Sequence, residues 1–156
     1  MLEWMRDGDI TRGFRTNFAA KTLADAEDFI RANQASSENV HLAIASDADK
    51  YMGTVSLKHI DRERRDAEFA IVVRRIAMGC GYAWYGMKSI LDVAFNELGL
   101  DIVYWNVLRE NRRAMHFYDK HKFQGMSLVP KDILGRYPTE MLKDLKWYSV
   151  SKAKRS

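Results

Sequence analysis

The chain contains a single cysteine, Cys80. It can form no internal disulfide and no cysteine-built zinc cluster, and a reducing cytoplasm is the compartment that fits. No apolar run reaches the length of a membrane span. Glu3, Arg6 and Asp7 interrupt the opening segment, which therefore does not read as a signal peptide. Internal repeats, low-complexity tracts and linkers are missing as well, so residues 1–156 read as one domain. A dense basic face interleaved with aromatics is also absent. Much of the net charge of +4 collects in Lys152, Lys154 and Arg155 and at Arg112 and Arg113, a pattern of solubility rather than of a nucleic-acid partner. His41, His59, His116 and His121 show no metal-ligand spacing with carboxylates or the cysteine, so no metal is expected.

What is present is enough apolar sequence for a real core, and it is periodic. Residues 22–34 read as a helix: Thr22 caps it, and Leu23, Ala26, Phe29 and Ile30 make one stripe. Three strand-like runs follow, His41–Ser46, Met52–His59 and Ala67–Val73, joined by the short polar connections Asp47–Lys50 and Asp61–Asp66 of antiparallel hairpins. Residues 82–98 carry Ala83, Met87, Ile90, Leu91, Ala94, Phe95 and Leu98 at helical spacing, and Gly99 ends that helix. Gly86, inside it, marks close packing or nothing. Ile102–Leu108 is β-branched and aromatic, hence a strand. A helix over 111–121 and strands near Gly125–Val129 and Leu145–Val150 complete the order. That order argues for an α/β (α+β) fold, one mixed sheet with helices on both faces.

Between the third strand and the long helix lies Met78-Gly79-Cys80-Gly81-Tyr82-Ala83. An apolar strand, a turn with two glycines and a helix N-terminus make a ready site for a phosphate, because the first helical N–H groups have no partner and the dipole favours an anion. The dinucleotide fingerprint needs a third glycine where Trp84 stands, and the P-loop pattern needs a Gly-Lys-Ser/Thr ending that is absent. Further on, Asn111 and Tyr118 are seven residues apart, nearly two helical turns, and so share a face, with the small Ala114 between them. Taken alone, Tyr118 reads as a half-buried core tyrosine and Asn111 as a helix cap.

Together, in this order, the two segments resemble the GNAT acetyltransferases. That family's pyrophosphate loop reads Arg/Gln-x-x-Gly-x-Gly/Ala, and Met78 departs from its first position, a residue the family uses mostly through its backbone. Its second motif, Asn-x-x-Ala-x-x-x-Tyr followed by Lys and Gly-Phe, is matched from Asn111 to Tyr118, with Lys122-Phe123 in the Gly-Phe place. The resemblance implies a sheet with antiparallel N-terminal strands and a parallel central pair, acetyl-CoA as co-substrate, and no metal. It implies that Ile71, Val72 and Val73 bond the pantetheine arm, in a gap where the sheet splays from Ile102–Leu108. Met78, Gly79, Cys80, Gly81, Tyr82 and Ala83 would hold the pyrophosphate. Asn111 would bind the arm or its water beside Ala114, and Tyr118 would protonate the departing thiolate. Transfer goes directly within a ternary complex, which leaves Cys80 no covalent role.

Glu68 interrupts the apolar strand just before the loop, and alternation puts it on one face with Ala70 and Val72. A carboxylate here can deprotonate an attacking ammonium, directly or through water. Against that stands a strand-end carboxylate facing water. The acceptor is expected to be the primary amine of a small molecule, such as a nucleotide-linked amino sugar met by Arg15 and Arg136. A protein N-terminus is the same-class alternative, and a non-catalytic coenzyme A or nucleic-acid binding module is the different-class one. His59 reads as surface rather than pocket. GNAT domains open with a strand, whereas Met1–Asp7 looks like the end of the first helix. Either that edge strand is missing or the start is truncated; the expectation is no strand before residue 20, and a missing strand would leave a sheet edge that favours pairing into a homodimer.

Overall fold

The computed structural model describes residues 38–155. The helix expected over 22–34 and the absence of a strand before residue 20 lie outside the described residues. Alternating apolar positions and polar turns give three antiparallel strands, β1 (Val40–Ala45), β2 (Tyr51–Asp61) and β3 (Asp66–Val73). The loop after β3 leads into α1 (Tyr82–Asp92), whose last turn widens into a π-helical segment, Val93–Glu97. Then come β4 (Ile102–Leu108), α2 (Arg112–Lys120), the two-residue β5 (Gln124–Gly125), two single-turn helices, α3 (Lys131–Leu134) and α4 (Thr139–Leu142), and β6 (Leu145–Ser151). The sheet order is β1-β2-β3-β4-β6-β5, with β3 and β4 parallel and every other neighbouring pair antiparallel.

Two expectations change. The strand near Gly125–Val129 shrinks to Gln124–Gly125, and the connection Pro130–Pro138 winds into α3 and the start of α4. Each proline sits at a helix N-cap with φ near −55°, an angle that its ring supplies and that opens a helix.

The sheet has two covered faces. On one, Ile44, Val55, Leu57, Phe69, Val103, Trp105 and Tyr148 pack with Met87, Ile90, Leu91 and Phe95 of the α1 segment and Tyr118 of α2. On the other, Tyr104, Leu145 and Trp147 pack with Ile133 of α3 and with Leu134, Tyr137 and Met141. The period of two along β4 and β6 deals these residues to alternate faces. Gly86 is a close-packing site, since a Cβ there would lie 2.6 Å from Ile44 Cδ1 and 3.0 Å from Val55 Cγ1. Among the described residues no helix is long and apolar enough to cross a membrane.

Candidate active site

The parallel pairing of β3 with β4 covers three positions, Asp66↔Ile102, Ala67↔Val103 and Glu68↔Tyr104. Beyond it the strands part. Ile71, Val72 and Val73 stay bonded to β2, while Trp105 to Leu108 stay bonded to β6. The backbone groups of β3 that turn toward β4 therefore border a gap, and Glu68 stands at its apex.

The loop beyond β3 is shaped for an anion. Gly79 and Gly81 have φ of +78° and +87°, a region that side chains disfavour. Gly81 is the N-cap of α1 and, having no side chain, caps none of the first N–H groups of the helix. Arg113 reaches across from α2, with Nη1 3.3 Å from Met78 Sδ. Cys80 is exposed and rests its thiol near the carbonyls of Ile76 and Met78.

Asn111 is the N-cap of α2: its side-chain oxygen accepts from the Ala114 N–H at 3.1 Å, leaving the amide N–H groups to offer a ligand. Tyr118 is only 5% exposed, more buried than its sequence context implied, and its ring packs against Trp105 and Tyr148 at 5.2 Å. Burial, and the neighbouring Tyr148, push its phenol well above the ordinary tyrosine value, so it holds its proton throughout the neutral range. The helix ends as its hydrogen bonds dictate. Phe123 N–H donates to Tyr118 O and Lys122 N–H to Asp119 O, a Schellman closure with Lys122 at φ +62°. Lys122 stands where the resembling motif has glycine, and the left-handed backbone shows why a glycine belongs there.

Glu68 faces no bulk water. Its side chain is 5% exposed on the face of Tyr104. Tyr137 donates to Oε1. Oε2 makes no hydrogen bond and lies 3.6 Å from Arg136 Nη1 and 3.8 Å from His59 Nε2. Arg136 also donates to the Tyr104 hydroxyl at 2.6 Å. Burial pushes that phenol up to about 12, against the pull of Arg136. Asp66, on the same face, has a second buried carboxylate oxygen, Oδ1, without a hydrogen bond. The partnership of Arg136, Tyr137 and His59 with Glu68 was not foreseen from the sequence. Arg136 is held by Glu68 and Tyr104 rather than kept for an anionic acceptor, and Arg15 lies outside the described residues. His59 is 39% exposed, but its ring lies beside the buried carboxylate.

The predicted residues thus lie on both faces of the sheet. Tyr118 stands on the apolar face with Trp105 and Tyr148, and Glu68 on the opposite face. Cys80 and Asn111 lie toward the loop end. A separate groove of about 490 Å³, with Arg109, Met126, Leu142, Lys146 and Trp147 among its walls, is lined by neither Glu68 nor Tyr118. Among the described residues no group of histidine, cysteine or carboxylates could hold a metal ion.

A family model described as an acetyltransferase (GNAT) domain matches residues 1–124. The spermidine N(1)-acetyltransferase of Vibrio cholerae is 34% identical over 97 residues, 60% of this chain and 56% of that protein. The Escherichia coli K12 protein of the same name is 30% identical over 103 residues, 62% of this chain and 55% of that protein. The chain thus spans a little over half the length of these curated relatives. Among solved structures, the V. cholerae spermidine N-acetyltransferase in complex with CoA and spermine has a TM-score of 0.80 at 21% identity, covering 98% of this chain and 88% of that one. A dodecameric structure of the same enzyme has a TM-score of 0.70 at 24% identity, covering 86% and 77%. At these identities the likeness establishes the fold.

Proposed function

Because this chain belongs to the GNAT acetyltransferase family, we propose that it moves an acetyl group from acetyl-CoA to a primary amine of a small polyamine by direct attack in a ternary complex. The observation that carries the reading is the parting of β3 from β4, with Glu68 on one side and Tyr118 on the other. In this reading Ile71 to Val73 give their open backbone groups to the pantetheine arm. Met78 to Ala83 hold the pyrophosphate on the left-handed glycines and the open turn of α1, with Arg113 adding charge. Asn111 and Ala114 flank the arm. Backbone N–H groups near Val73 polarise the thioester carbonyl.

Glu68 takes a proton from the acceptor ammonium, directly or through water, and Tyr118 gives one to the departing thiolate. A carboxylate with an unbonded buried oxygen seeks a donor, and an ammonium supplies one. Asp66 Oδ1, two residues away on the same face, offers a second such contact, which suits an acceptor with more than one cationic nitrogen. The curated relatives carry spermidine in their names. They lend no support to an amino sugar or a protein N-terminus as acceptor.

Titration calorimetry with acetyl-CoA, followed by thiol release with spermidine, spermine, a monoamine, an amino sugar and an N-terminal peptide, tests this. Saturable binding near one per chain, with release fastest for the polyamines, is the expected result. Binding without release for any amine would leave a non-catalytic coenzyme A module. No binding by folded protein would reduce the loop to a turn.

A further inference from the structure

Acetylating a primary ammonium removes two protons from its nitrogen. One leaves as part of the coenzyme A thiol. The other must reach water, and the carboxylate that takes it, Glu68, is buried. From the geometry of this site we infer that His59 is the proton outlet of Glu68: it accepts the proton that the carboxylate has taken from the acceptor and hands it to solvent. The inference rests on the reading of Glu68 as the base.

Elimination among the described groups around Glu68 supports it. Lys58 of β2 lies directly across the strand pair, and its ammonium has no lone pair to accept with. The Arg136 guanidinium, 3.6 Å from Oε2, has donors and no acceptor. Tyr137 already donates to Oε1, and a neutral phenol is a poor proton acceptor. Tyr104 of β4 keeps its proton beside Arg136. Asp66 of β3 has its Oδ2 held by Arg64 at 3.0 Å. Among the described residues His59 is the neighbour of a type that changes charge near neutral pH, and it spans the boundary, with Nε2 3.8 Å from the buried oxygen and the side chain 39% exposed. A small side-chain rotation or one water closes that distance.

The backbone is irregular at this position. His59 has φ of +50°, at a register shift between Lys58 and Asp61, and its N–H is held by Asn39 Oδ1 at 3.2 Å. A residue other than glycine is costly in this conformation unless its surroundings hold it. The proton count closes: the ammonium gives H⁺ to the Glu68 carboxylate, the carboxylic acid gives it to neutral His59, and the imidazolium gives it to water. Glu68 is left ionised for the next turnover.

His59→Asn tests this, because asparagine tolerates left-handed backbone while removing the titrating ring. In dilute buffer its kcat should fall about tenfold with KM for acetyl-CoA little changed, and imidazole should restore the rate in a saturable way. Wild-type protein should ignore imidazole, and salt of equal ionic strength should restore nothing. Unchanged turnover in His59→Asn, or a loss that imidazole does not repair, overturns the relay. Glu68→Gln alongside keeps the two ideas apart: if it retains wild-type turnover, Glu68 is not the base. If it loses turnover while His59→Asn keeps it, the relay alone fails.

Discussion

The two faces of the sheet are built from opposite materials. Under α1 and α2, Trp105 stacks on Tyr148 at 5.9 Å and meets Phe69 and Phe123 edge-on, in a layer of rings and aliphatic chains. Its candidate proton donor, Tyr118, is locked in that layer. Under α3, Tyr137 and Arg136 reach Glu68, and His59 adjoins it. One face is apolar and keeps the Tyr118 phenol protonated; the other carries charge, with the half-exposed His59 beside the buried carboxylate. The gap between β3 and β4 is where the two faces meet.

Removing the phenol from the dry face should do the most damage. Tyr118→Phe should lower kcat about 10²-fold or more while the Kd for coenzyme A barely moves, as read by thiol release and calorimetry. Because burial raises the Tyr118 pKa, the wild type should show no loss of activity from its ionisation as pH rises through the ordinary tyrosine value. A loss there that disappears in the Phe variant would contradict the dry setting. Prying the same face apart comes next. Gly86→Val drives methyl groups into Ile44 and Val55 and should cost about 1–3 kcal/mol by denaturant unfolding. Lys122→Gly acts in the other direction: it relieves the left-handed residue that closes α2 and should stabilise by about 1 kcal/mol.

The smallest effect belongs to the polar face. Burial, then the charge of Lys58, lower the pKa of His41, which lies 2.6 Å from Ser56 Oγ. A base with a depressed folded-state pKa lends stability above its unfolded value of 6.5, and that stability is lost as pH falls through the folded value. His41→Gln should therefore flatten the fall in Tm on acidification below that value. An unchanged slope would take His41 out of the acid response.

Local signals carried much of this fold. Ile102–Leu108 has the same bounds as read from its β-branched residues, and the hairpin turns fall in the polar stretches Asp47–Lys50 and Asp61–Asp66. Asn111 and the two loop glycines also declare their conformations in their residue types. The polar side of the site was not legible for a physical reason. Tyr137 meets Glu68 across 69 residues of sequence, and Arg136 meets Tyr104 across 32. Neither partnership leaves a periodic trace. The ring of His59 is aimed by a left-handed residue at a strand irregularity, and a histidine announces no such bend. Lys122 shows the converse: a departure from a motif became interpretable once its φ was known.

Hydrogen exchange of the native protein, with and without coenzyme A, tests the gap most directly. The account predicts protection concentrated in β3 from Ile71 to Val73 and through the loop to the first turn of α1, where backbone groups now border the gap or lack a helical partner. Protection confined to the groove walled by Arg109, Lys146 and Trp147, with Ile71 to Val73 unchanged, would contradict it.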